Sequence, residues 1–154
     1  AWFGRPMLDA ERTVVPLASA GPGADYLQSV RISWGDGPLG QGPTGIAVRT
    51  GTTQVRNELR ADPAYEPWRE AAESHGFACS VALPVVVDGV VDGVLKVYAE
   101  EKDAFDDLAL LLLEDLAADL GYGLARVRQG VQLRDSQCLG GQVDTQHLGT
   151  LAGH

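Results

Sequence analysis

The chain has 154 residues, 45% of them hydrophobic and 21% charged, which suits one soluble globular domain whose core needs no metal or disulfide. Twelve Lys and Arg stand against 21 Asp and Glu, and the resulting net charge of −9 sets nucleic acid and anionic membranes aside as primary partners. No apolar run approaches the ~18 residues of a membrane span, no secretory signal is read at the start, and Cys79 and Cys138 lack C-x-x-C spacing, so free thiols in a reducing cytoplasm are expected.

In chain order, residues 1–8 (AWFGRPML) and 12–19 (RTVVPLAS) read as two short strands joined through Asp9, Ala10 and Glu11. AGPG at 20–23 breaks the pattern, DYLQSV at 25–30 reads as a short helical turn, and RISW at 31–34 as extended chain. A Gly-rich loop follows, opening into a helix of at most two turns that Gly51 ends, and then a β-favouring stretch at Thr52, Thr53 and Val55. Residues 63–76 predict a second helix, with Pro67 in its first turn and Gly76 at its end. The clearest strands are 78–87 and 90–99, separated by Asp88-Gly89, a strong hairpin signal. Asp103 is expected to cap a long helix over 103–128, with Asp106 completing a weak capping box. Phe105, Leu108, Leu112, Leu116 and Leu120 recur on it at helical spacing, while Leu110, Leu111 and Leu113 widen the apolar surface to two flanks. The sheet is expected against one flank and a companion helix against the other. After residue 129 the chain turns Gly- and Gln-rich, and 130–154 is read as a linker or poorly packed tail behind a domain of 1–129.

Within the Gly-rich loop, GQGPTG (40–45) fits the dinucleotide pattern G-x-G-x-x-G, and Glu58 lies at a tempting distance for the ribose. The context is wrong for that use. The following helix is too short to cross a parallel sheet, Pro43 sits inside the pattern, and the rest of the chain reads as hairpins. No Gly-Lys-Ser/Thr follows, which excludes a P-loop. The glycines are therefore read as allowing a tight path into a short helix, whose N-terminus offers a place for an anion.

The run GPLGQGPTGIAVRTGTTQVRNEL, followed by PAYEPWREAAESHGFACSVALPVVVDGVVDGVLKVYAEEKDAFDDLALLLLEDLAADLGYGLAR, resembles a GAF domain of bacterial multidomain signalling proteins, over about residues 1–128. The resemblance implies an α+β fold. A central antiparallel sheet carries terminal helices on one face, and short helices and loops surround a small-molecule pocket on the other. It also implies a homodimer through the long C-terminal helix, and an output domain elsewhere in the parent protein. The family usually begins with a helix before the first strand; here the chain starts at Ala1-Trp2-Phe3, the expectation being a piece of a longer protein. The reading is a non-catalytic sensor or dimerisation module, with any ligand between the sheet and segment 34–77 and a relay through helix 103–128.

Trp34 and Trp68 stand out as pocket candidates, because the matching regions of the family line the pocket and an indole combines apolar area with one donor. Arg49 and Arg56 are candidates for meeting an anionic ligand, with solvated arginines as the alternative. Cys79 is the fifth candidate. The competing activity is a free methionine sulfoxide reductase of GAF fold, which needs a thiolate nucleophile; Cys79 lies near the stretch where those enzymes carry a cysteine but not on it. A bilin attachment site commonly has His after the cysteine, and Ser80 stands there instead; Asn57-Glu58 does not reproduce a cyclic-nucleotide signature. His75, His147 and His154 do not cluster, so no metal or catalytic residue is assigned, and the sequence names no cofactor.

Overall fold

Strand pairing follows from the two hairpins that the sequence marks. The computed structural model describes residues 1–140, with side chains as far as residue 138. β1 (Trp2–Pro6) and β2 (Val14–Ser19) pair antiparallel, and in their connection Asp9 Oδ1 accepts from the Thr13 N–H at 2.8 Å. A single helical turn, α1 (Tyr26–Ser29), precedes the Gly-rich loop, and α2 (Pro43–Thr50) leaves it. Gly51 ends α2 in the left-handed region at φ 67°, where a Cβ is disfavoured. β3 (Gln54–Arg56) is short. Residues 63–76, predicted as one helix, divide into a 3-10 stretch (Pro63–Trp68), with Pro67 inside it, and α3 (Arg69–Ser74). β4 (Cys79–Val87) and β5 (Val90–Ala99) form the long hairpin, with Asp88 and Gly89 both at positive φ as an Asp-Gly turn requires. The five strands form one sheet in the order β2-β1-β5-β4-β3, every pair antiparallel. This is the expected α+β arrangement.

Alternation along β4 and β5 sorts the core into two layers. Cys79, Val81, Leu83 and Val85 pack with Leu95, Val97 and Phe105 against α4 (Asp107–Gly140). On the opposite face Ala82 and Val94 pack with Trp2, Val14, Ala47 and Val48, and Tyr98 reaches a second cluster of Tyr26, Leu59, Tyr65, Trp68 and Ala72.

Helix α4 differs from its expected form at both ends. Asp103 is not its cap; it stands at φ 55° in the preceding turn. Asp106 does the capping, with Oδ1 accepting from the Ala109 N–H at 2.8 Å, and the helix begins at Asp107. It runs on to Gly140 rather than ending at 128, and residues 131–138 are exposed. The tail reading thus meets a helical extension over 130–140, while 141–154 lies outside the described residues.

The flank against the sheet is not the leucine stripe of the sequence. It consists of Leu110, Leu113, Ala117 and Leu124, with Gly121 at the closest approach: a Cβ there would strike the Val86 carbonyl oxygen. Small residues let the helix axis sit close to β4. The stripe of Leu108, Leu112, Leu116 and Leu120 faces away, and Leu108 and Leu112 are 65% and 61% exposed. Among the described residues of the single chain, no companion helix covers it. No described helix is long and apolar enough to cross a membrane.

Candidate functional site

Opposite α4, the sheet and residues 26–68 enclose a cavity of about 10 Å³, near the size that admits one water. Lys96 and Tyr98 of β5 form its floor. Tyr26 of α1, Ile32, the first turn of α2 (Pro43, Thr44, Gly45), and Tyr65 and Trp68 of the 3-10 stretch form its walls.

The Gly-rich loop explains how those walls meet. A Cβ at Gly42 would run into the Trp68 ring, and one at Gly45 into the carbonyl oxygens of Gly40 and Ser33. These glycines serve close approach, since Gly42 sits at an ordinary φ of −75°. Trp68 is pinned from its other side, Nε1 donating to the Arg31 carbonyl at 2.8 Å. Arg49 ties the loop off: its Nη1 donates to the carbonyls of Trp34, Gly35 and Gly40 at 3.2, 2.8 and 2.6 Å. The G-x-G-x-x-G pattern is therefore a packing device leading into an antiparallel sheet, the context that the dinucleotide use lacks.

Within the cavity the chemistry centres on a lysine. Lys96 is 1% exposed, and its Nζ has no hydrogen-bond partner. It lies 5.9 Å from the ring centroid of Tyr65 and 5.5 Å from that of Tyr98, within cation–π range. Burial pushes its pKa well below the usual lysine range; the Arg56 guanidinium pushes the same way and the Asp62 carboxylate opposes it. The surrounding phenols are joined in part: the Tyr26 and Tyr65 hydroxyls share a hydrogen bond at 2.9 Å, and Trp2 Nε1 donates to the Tyr98 hydroxyl at 3.2 Å. Burial raises the pKa of all three tyrosines, so each remains a neutral phenol. Ser80 Oγ is also buried without a partner, on the same face and diagonally across from Lys96: Ser80 pairs with Tyr98, and Ala82 with Lys96.

The five residues singled out from sequence do not converge. Trp68 lines the cavity. Arg56 lies near Lys96, but its Nε is held by Asp62 Oδ2 at 2.9 Å. Trp34 and Arg49 line a separate, open groove on the outer side of the loop, where Arg12 stacks over the Trp34 ring at 4.7 Å and Trp34 Nε1 donates to the Met7 carbonyl at 2.8 Å. Cys79 is a correction. As the neighbour of Ser80 on β4 it points to the opposite face, into the α4 layer, where its thiol donates to the Glu101 carbonyl at 2.9 Å. Burial pushes that thiol's pKa up. Sequence reading missed Lys96, Tyr26, Tyr65 and Tyr98. The available signal was a lone lysine in the middle of the apolar strand VVDGVLKVYA, two residues before a tyrosine on the same face.

Comparison with known proteins agrees with this architecture. A family model described as GAF domain matches residues 1–125. Protein YtsP of Bacillus subtilis (strain 168) is 29% identical over 89 residues, 58% of this chain and 52% of that protein, so the matched part spans about half the length of this curated relative. Among solved structures, the domain of a two-component sensor histidine kinase protein from Sinorhizobium meliloti 1021 superposes with a TM-score of 0.64 at 19% identity, covering 87% of this chain and 85% of that one. The free methionine-R-sulfoxide reductase from Neisseria meningitidis, in complex with its substrate, gives a TM-score of 0.61 at 26% identity, covering 84% and 70%. With the family match extending over most of its length, and with an antiparallel sheet that separates a long helix from a loop-walled cavity, this chain belongs to the GAF domain family.

Proposed function

We propose that this chain is a non-catalytic sensing and dimerisation module of a bacterial signal-transduction protein. It takes a small molecule between the sheet and segment 34–77 and passes the effect to an output domain through α4. One observation carries the reading: the cavity and the α4 layer are built on alternate residues of the same strand, β5. Lys96 and Tyr98 face the cavity, while Leu95 and Val97, between and beside them, pack in the α4 layer. A change that moves β5 on one face therefore moves the seat of the helix on the other, because packed cores transmit displacement with little compression. The bare leucine stripe of α4 supplies the dimer contact in this reading, in which two such helices lie side by side.

The competing reading is an enzyme of the kind that the Neisseria meningitidis structure represents. Its support is that likeness of fold at 26% identity. A thiolate nucleophile must reach the bound substrate, and neither cysteine of the chain lines the cavity: Cys79 is buried in the α4 layer and Cys138 is exposed near the far end of α4. The geometry favours the sensor. Native mass spectrometry on protein purified without added ligand separates the two. A reproducible extra mass on a dimer supports sensing; bare protein that reduces free methionine sulfoxide in a thiol-coupled assay overturns it.

A further inference from the structure

The most anomalous group in the molecule is Lys96. A lysine with its whole stem and head in the core, and no acceptor at its Nζ, is rare among folded proteins. Its neighbours are hydroxyls, which can donate as well as accept: the phenols of Tyr26, Tyr65 and Tyr98 line the same cavity, and the unpartnered Ser80 hydroxyl lies on the same face of the sheet. The first turn of α2, the positive end of an eight-residue helix, also faces the cavity. The carboxylate that bears on Lys96 is Asp62, and it is committed to Arg56. The site therefore brings a buried lysine, hydroxyls able to donate and a helix N-terminus together without a free carboxylate.

Resting on the sensor reading above, we infer that the ligand is a small organic carboxylate whose charged head meets Lys96 Nζ and the tyrosine hydroxyls while its apolar body lies against Trp68 and Ile32. At about 10 Å³ the cavity is too small for even a two-carbon acid, so binding must displace the cover formed by α1 and the 3-10 stretch. That cover carries Tyr26, Tyr65 and Trp68 but no strand of the sheet. Binding also bears on a proton. Burial and the Arg56 guanidinium disfavour the charged form of Lys96, and Asp62 favours it. A carboxylate supplies a counter-charge that Asp62, held by Arg56, does not, so pairing with it favours the ammonium form and draws protons from solvent. Selectivity follows from the same balance: an uncharged amide of the same shape gives Lys96 no counter-charge and is rejected.

The test uses the whole chain with formate, acetate, propionate and benzoate, and with the matching neutral amides. The readouts are calorimetry in two buffers of different ionisation enthalpy and NMR of the Lys96 side chain labelled at Cε. The expected result is binding by at least one carboxylate, net proton uptake, and a Lys96 Cε shift toward the ammonium form. Its amide should bind at least tenfold more weakly. K96M, whose apolar side chain fills the same space, should keep the wild-type circular dichroism and lose carboxylate binding by tenfold or more. Amides binding as well as the acids, or K96M binding the acids undiminished, would overturn the carboxylate while leaving a ligand-binding sensor in place. Failure of every acid and amide overturns the inference too; only if native mass spectrometry also finds bare protein does the sensor reading fall with it.

Discussion

On one face of the sheet, Lys96 and Tyr98 line a small aromatic-walled cavity with the buried Ser80 beside them; on the other, Cys79, Val81, Leu83 and Val85 lie in a purely apolar layer beneath α4. The first face holds buried groups that lack partners, and the second holds a helix that lacks cover. The two deficits differ in kind. An unpaired buried amino group or hydroxyl is answered by a small ligand with the right polarity. An exposed row of leucines is answered by another apolar surface. In the proposed sensor, one sheet thus carries a chemical site and a mechanical site back to back.

Substitutions on either face sharpen that contrast. The largest effect is expected in the apolar layer: Leu83→Ala, at a position with no exposure, should lower stability by about 2–5 kcal/mol in urea denaturation, because the cavity left under α4 has little room to collapse. Lys96→Met acts in the opposite direction. Removing an unsatisfied buried amine should raise stability by about 1–3 kcal/mol at neutral pH. The pH dependence gives the sign a second check. Lys96 is held below its unfolded value, so between the two values the unfolded chain binds more protons, and wild-type stability falls as pH drops from about 10.4 toward the folded value. The advantage of Lys96→Met should therefore shrink as pH rises from 7 toward 10. Cys79 and the tyrosines, whose folded pKa values are raised, pull stability down as pH climbs through their unfolded values. They do so in both proteins, so the difference isolates Lys96.

Next in size, Asp106→Ala should cost about 1 kcal/mol by removing the α4 cap; an equal loss from Asp103→Ala would contradict the observed helix start. The smallest effect on the fold itself is expected at the outer stripe. Leu112→Glu and Leu116→Glu each replace a largely exposed side chain and should leave monomer stability within about 0.5 kcal/mol. Wild-type melting temperature should rise with protein concentration, as mass action on a dimer demands, and that of the double variant should not.

Much of the fold was legible because local signals agreed with the tertiary structure. Asp88-Gly89 marked the central hairpin, Gly51 the end of α2, and the turn at 9–11 the first hairpin. The errors came where a local signal was shared by two solutions. Asp103 and Asp106 are both acceptable caps, and the positive φ at Asp103 decided between them. The sequence reading left open which of the two apolar flanks meets the sheet; close approach to Val86 requires Gly121, which turns inward the flank that carries it with Leu110, Leu113, Ala117 and Leu124 and leaves Leu108, Leu112, Leu116 and Leu120 outside. The site was less legible than the fold. Trp68 was visible as a large amphipathic side chain, whereas Cys79 was misplaced by one residue of strand alternation. Lys96 escaped notice because a lysine within a valine-rich strand reads as a solvent-facing position unless both faces of the sheet are known to be covered.

The proposed dimer rests on the outer flank of α4, and sedimentation velocity at micromolar concentration tests it. A species of twice the 16.3 kDa chain mass, returned to the single-chain mass by Leu112→Glu with Leu116→Glu, is the predicted result. A wild-type chain that sediments as a clean monomer would contradict it.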